Sequence, residues 1–170
     1  RIKKNIPKIK LIVLLRNPVE RAYSRYNMEL KNNNENLTFE ETIEQEPERL
    51  EGEFEKMKND ENYFSHSYDA HAYVTTGIYA DQLERWFEYF PREQFLIIKS
   101  EDFFEQPNKI MNKVFDFLQI SIFKQDKFEK FREGNYPSMK PETREKLVEF
   151  FKPHNKRLYE LLGIDFGWDK

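Results

Sequence analysis

The chain has 170 residues, 38% of them hydrophobic and 16% aromatic, which suits one globular domain with a sizeable core and excludes a disordered tail. A formal net charge of −3 argues against a nucleic-acid binder driven by bulk electrostatics, although it leaves room for a local basic pocket. With zero cysteines there is no disulfide, thiolate nucleophile or cysteine-ligated zinc, which fits a reducing cytoplasm, and no apolar run approaches the roughly 20 residues of a membrane span.

Arg1 to Lys8 form a basic lead containing Pro7. The five apolar residues Leu11 to Leu15 then predict a strand buried on both faces, and hence a parallel sheet covered by helices. Asn17-Pro18 ends it. Pro18 has φ fixed near the helical value and no N–H to leave unpaired, so it suits the first position of a helix running to about Leu30. Strand, tight turn and helix in that order place Arg16 at the carboxyl edge of a sheet, where open α/β folds bind ligands. Its forked, permanently charged guanidinium suits a phosphate, and Ser24 can add a hydroxyl from the second helical turn. The same spacing also fits an arginine paired with a carboxylate and a serine on a helix surface.

Lys31 to Asn36 read as a loop. Thr38 with Glu41 makes a capping box, and Phe39, Ile43, Leu50, Phe54 and Met57 recur at helical spacing, predicting helices over 38–46 and 47–58 with Pro47 opening the second. Eleven carboxylates between Glu35 and Glu61, against Arg49, Lys56 and Lys58, predict a solvated helix face. Asn62 to Thr76 has weak periodicity and reads as irregular. His66 and His71, five apart, fall on different faces of a helix and suit no common paired metal-ligand spacing, so no metal site is expected. Gly77 opens a helix with the apolar stripe Tyr79, Leu83, Trp86, Phe87 and Phe90, closed by Pro91.

Phe95 to Ile98 predict a second buried strand, and with the first a right-handed, parallel βαβ arrangement. Ser100 to Glu105 read as a turn, Pro107 to Leu118 as a helix, and Phe123 to Met139 as aperiodic, with Gly134-Asn135 and Pro137 as turn signals. Helices follow from Pro141 to Phe151 and from Pro153 to a stop at Gly163, with His154 at the start of the second. Phe166-Gly167-Trp168 tuck the terminus against the body.

Three segments together carry a resemblance. Arg16-Asn17-Pro18 with Arg21, Ser24 and Tyr26, placed after an apolar strand, resembles the 3′-phosphate-binding segment of sulfotransferases that use 3′-phosphoadenosine 5′-phosphosulfate. Thr76-Gly77-Ile78-Tyr79-Ala80-Asp81-Gln82-Leu83-Glu84-Arg85-Trp86 is a second match, and Phe150-Phe151 through Pro153, His154, Asn155 and Arg157 to Trp168 is a third. They stand in the order of the branch that includes the heparan-sulfate sulfotransferases and their bacterial relatives, from about Lys10 to Trp168.

The resemblance implies a three-layer α/β fold of the P-loop-NTPase-like sulfotransferase type, helix-rich, with residues 1–170 as one sulfotransferase domain. It implies sulfuryl transfer from 3′-phosphoadenosine 5′-phosphosulfate to an acceptor hydroxyl or amine, releasing adenosine 3′,5′-bisphosphate without a metal. Arg16 and Ser24 match the family's 3′-phosphate contacts. Lys130-Phe131-Arg132-Glu133-Gly134-Asn135-Tyr136-Pro137 stands where the family has a basic Lys-x-Lys-Gly-Arg loop over the nucleotide, so Arg132 and Gly134 are nucleotide contacts by correspondence, at shifted spacing. The two cysteines that often brace this loop in animal enzymes are missing, which points to a bacterial-type member.

Pro7-Lys8 is not the family's Pro-Lys-x-Gly-Thr phosphosulfate loop, since no Gly or Thr follows and a strand comes after it rather than before. No other Gly-rich phosphate loop occurs. The reading is therefore the carboxyl-terminal portion of a larger sulfotransferase, with the catalytic base unassigned. The rivals are a P-loop-like phosphotransferase fragment, disfavoured by the absent G-x-x-x-x-G-K-[ST], and a non-catalytic helical interaction module.

Overall fold

The computed structural model describes residues 2–123, 128 and 135–169. Arg132 and Gly134, the two nucleotide contacts assigned by correspondence, lie outside the described residues. The architecture is α/β and helix-rich, and its contacts group into two compact units, residues 1–16 with 79–133 and residues 17–78 with 134–170.

The first unit contains α1 (Ile2–Asn5), β1 (Leu11–Leu15), α6 (Tyr79–Tyr89), β2 (Phe95–Lys99), α7 (Ser100–Glu105) and α8 (Pro107–Leu118). β1 and β2 pair in parallel, with Leu11 opposite Phe95 and Leu15 opposite Lys99. Leu15, Leu83, Phe90, Phe95, Ile98 and Ile110 are buried there. The expected burial of β1 on both faces is corrected: Ile12 and Leu14 are 40% and 53% exposed. The physical reason is that β1 has one strand neighbour among the described residues, so its continuous apolar run outlasts its cover. The α6 stripe is likewise incomplete, for Tyr79, Leu83 and Phe90 are buried while Trp86 is 40% exposed beside an apolar groove of about 250 Å³. Ser100 to Glu105 form a helix rather than a turn.

The second unit contains α2 (Pro18–Lys31), α3 (Phe39–Arg49), α4 (Glu53–Asn59), α5 (His66–His71), a 3-10 turn (Thr75–Gly77) and α9 (Pro141–Leu162). α2 begins at Pro18 as expected, with the Asn17 side chain accepting from the amides of Val19 at 3.0 Å and Glu20 at 3.4 Å. The Thr38–Glu41 capping box is formed. Val19, Ala22, Tyr26, Phe39, Tyr73, Val74, Met139, Leu147 and Phe151 make one core, each large apolar side chain contributing about 1.5–3 kcal/mol by leaving water. At Gly77 a Cβ would stand 2.9 Å from the Phe151 ring, so the missing side chain lets α9 press against the turn.

Three boundaries differ from expectation, all around proline or a short segment. Pro47 lies inside α3, which continues to Arg49, and the break falls at Gly52, whose φ of +71° favours glycine. Pro153 does not start a new helix. α9 runs through it because Leu147, Phe151, Asn155 and Leu158 share one buried face, while Pro153 is exposed and water can meet the carbonyl that it leaves without a partner. His154 is consequently mid-helix, its ring 5.2 Å from that of Phe150. The irregular stretch after Asn62 contains α5, capped by Ser65 accepting from the Tyr68 amide at 3.0 Å. His66 and His71 are its first and last residues, and their rings lie 6.1 Å apart.

Candidate functional site

Arg16 follows β1 directly and is half-buried at the carboxyl end of the strand pair in the first unit. Two neighbouring side chains hold the backbone there. The Tyr79 hydroxyl donates to the Arg16 carbonyl at 2.9 Å, and the Ser100 hydroxyl donates to the Leu15 carbonyl at 3.1 Å. Among the described residues no hydrogen bond or ion pair to the Arg16 guanidinium is seen. A forked cation at a sheet's carboxyl edge fits a phosphate dianion.

Ser24 lies in the second turn of α2, in the second unit, with a half-buried side chain. The two arginines of this helix are engaged in the fold. Arg21 donates to the Tyr73 carbonyl, while Arg25 donates to the Asp69 carbonyl and pairs with Glu29 at 2.9 Å. The arginines of this stretch thus divide into one at the strand end, where an anion can be met, and two on α2 that fix it to α5 and the segment behind it.

A second constellation went unrecognised in the sequence. Carboxylates between Glu35 and Glu61 were expected on a solvated face, yet Glu35, Glu46 and Glu53 are buried. Each is matched by donors. Glu35 accepts from Arg49 at 2.5 Å, from the amides of Asn36 at 2.9 Å and Leu37 at 3.1 Å, and from the Tyr73 hydroxyl at 3.2 Å. Glu46 accepts from the amides of Val74 and Thr75, both at 2.7 Å. Glu53 accepts from Lys56 at 2.7 Å, from Tyr63 at 2.9 Å and from Ser65. Charge count alone could not separate these from their exposed neighbours, because the discriminating signal is a distant donor, not a spacing.

Burial alone would raise the Glu35 carboxyl, but the Arg49 hydrogen bond and the two amides outweigh it and hold the group near 2, below its ordinary 4.5. His71, whose Nδ1 lies 3.3 Å from Arg49 and 3.5 Å from Glu35, is lowered by burial first and by the Arg49 charge second, which keeps it neutral near pH 7. A carboxyl depressed by folding stabilises above its unfolded pKa and loses that stability as pH falls through its folded one. Urea unfolding between pH 4.5 and 2 is therefore expected to show a loss of about 2–3 kcal/mol from Glu35, with a flatter pH dependence in Glu35→Gln. An unchanged slope in that variant would contradict the assignment. His66 and His71 sit with this network, and among the described residues no group of three or more His, Asp or Glu is arranged to hold a metal ion.

The chain matches a family model described as "Sulfotransferase domain" over residues 2–160. It is 30% identical to human heparan sulfate glucosamine 3-O-sulfotransferase 3B1 over 94% of this chain and 43% of that protein. It is 34% identical to the membrane-associated sulfotransferase kil1 of Dictyostelium discoideum over 56% of this chain and 20% of that one. The crystal structure of a sulfotransferase from Alicyclobacillus acidocaldarius superposes with a TM-score of 0.77 at 30% identity, covering 99% of this chain and 61% of that one. The chain therefore spans less than half the length of either of those two curated relatives.

Proposed function

The chain belongs to the sulfotransferase domain family, and from that premise we propose that it takes part in sulfuryl transfer from 3′-phosphoadenosine 5′-phosphosulfate to an acceptor hydroxyl or amine, with Arg16 and Ser24 contacting the donor's 3′-phosphate. The observation that carries this reading is Arg16 itself, a guanidinium at the carboxyl end of a parallel strand, opening the Arg-Asn-Pro segment. The donor supplies an activated sulfuryl group. What these residues contribute is orientation: a bidentate grip on the 3′-phosphate fixes the nucleotide, so that the reacting end is presented in one direction. Arg132 and Gly134 belong to the same proposal by correspondence, as further nucleotide contacts.

Transfer also requires stabilisation of charge on the bridging oxygens and a base for the acceptor proton. No phosphosulfate loop is found in these 170 residues, so we place both functions in upstream sequence and read residues 1–170 as the carboxyl-terminal part of one sulfotransferase domain. No described helix is long and apolar enough to cross a membrane; the lack of cysteines supports work in a reducing, bacterial-type cytoplasm, and the net charge of −3 supports the absence of a nucleic-acid partner. A phosphotransferase reading lacks its Walker loop, and a mere packing module would ignore nucleotide.

Calorimetric titration tests the proposal. Arg16→Ala is expected to weaken binding of adenosine 3′,5′-bisphosphate by about 1.5–3 kcal/mol and Ser24→Ala by about 0.5–1.5 kcal/mol, with adenosine 5′-monophosphate unaffected by either. Equal losses for both nucleotides in a folded variant would sink the assignment.

A further inference from the structure

We infer that Tyr79 and Ser100 are positioning residues for donor binding, acting through the backbone that carries Arg16. This rests on the reading of Arg16 as the 3′-phosphate grip. The β1–β2 ladder ends at the pair Leu15 and Lys99, so the Arg16 carbonyl lies one residue beyond the last cross-strand pair. The chain then runs through Asn17 into Pro18, which has no N–H to donate. A strand exit of this kind is free to pivot unless a side chain holds it.

Two do so, and each opens a helix of the same unit. Tyr79, the first residue of α6 and only 8% exposed, puts its hydroxyl 2.9 Å from the Arg16 carbonyl. Ser100, the first residue of α7 and 6% exposed, puts its hydroxyl 3.1 Å from the Leu15 carbonyl. Consecutive peptide carbonyls at the sheet's carboxyl edge are thus pinned from two helices. A long arginine side chain has several rotatable bonds, and a bidentate contact tolerates misplacement of only about 0.5 Å, so fixing its Cα removes much of the freedom that binding must otherwise remove. Tyr79 also lies within the second of the three segments that single this chain out, where its neighbour Gly77 already has a packing explanation.

The test is a double-mutant cycle on nucleotide affinity in the intact protein. Tyr79→Phe deletes one oxygen and keeps the ring, so the fold is expected to survive with little change in thermal midpoint. Its Kd for adenosine 3′,5′-bisphosphate is expected to rise about 3–10-fold while that for adenosine 5′-monophosphate stays the same, and Ser100→Ala is expected to act in the same direction. In an Arg16→Ala background, Tyr79→Phe should then have no further effect on bisphosphate binding. A purely structural tyrosine would weaken both nucleotides alike, or would act equally in both backgrounds; either result overturns the inference. If Arg16→Ala itself fails to discriminate the two nucleotides, the donor-site reading falls and this inference with it. Selective loss in Arg16→Ala without selective loss in Tyr79→Phe rejects the positioning role alone.

Discussion

Arg49→Ala is expected to destabilise the second unit by about 3–5 kcal/mol, because it strands a carboxylate that folding has taken out of water. The Glu35 side chain is 1% exposed, and Arg49 reaches it with one nitrogen at 2.5 Å and the other at 3.4 Å. Asn36, Leu37 and Tyr73 still donate after the substitution, but none carries charge. Glu35→Gln in the same background should recover part of the loss, since a neutral amide costs less to bury than an anion. Denaturant titration of the two single variants and the double variant measures the coupling. Additive losses, with no recovery in the double variant, would show that the pair is not the source of the effect.

Phe151→Ala is expected to cost a similar 3–5 kcal/mol, the range for truncating a fully buried aromatic residue. Phe151 is 0% exposed and lies in the core with Val19, Tyr73 and Leu147. Its ring is also what a Cβ at Gly77 would strike, at 2.9 Å. Gly77→Ala should therefore be costly alone, by about 1–3 kcal/mol for overpacking, and less costly once the ring is gone, when the contact with Pro18 Cβ at 3.1 Å remains. If Gly77→Ala costs the same in both backgrounds, the close approach is not what demands glycine.

The residues legible in advance were those whose local chemistry is complete within a few positions. Asn17-Pro18 announces a helix start, Thr38 with Glu41 announces another, and Gly163 announces a stop, and each is found as read. The parallel pairing of Leu11–Leu15 with Phe95–Lys99 followed from two apolar runs joined by a long helical crossover. What could not be read depends on partners distant in sequence. Pro153 looks like a helix start until Phe151, Asn155 and Leu158 are seen to bury one face across it. Glu35 and Glu46 look like any surface glutamate until Arg49, Tyr73 and the Val74 and Thr75 amides arrive. At the candidate site Arg16 was marked by position and motif, whereas Tyr79, 63 residues away, passed as one more core aromatic.

The uniform composition of β1 has a consequence for how its alignment is chosen. Sliding a strand by one residue ordinarily exchanges apolar and polar faces and is punished heavily. Leu-Ile-Val-Leu-Leu beside Phe-Leu-Ile-Ile-Lys carries almost no such penalty, since a slipped Ile12 or Leu14 is as greasy as the residue it replaces. Alignment must then be set by pegs at the ends. Gln94 donates to the carbonyls of Pro7 and Ile9, Lys10 to that of Phe117, Ser100 to that of Leu15, and Tyr79 to that of Arg16. The strand behaves as a ruler whose middle is unmarked and whose graduations lie at its two tips, so the backbone just past its last residue is held by contacts that the strand's interior lacks.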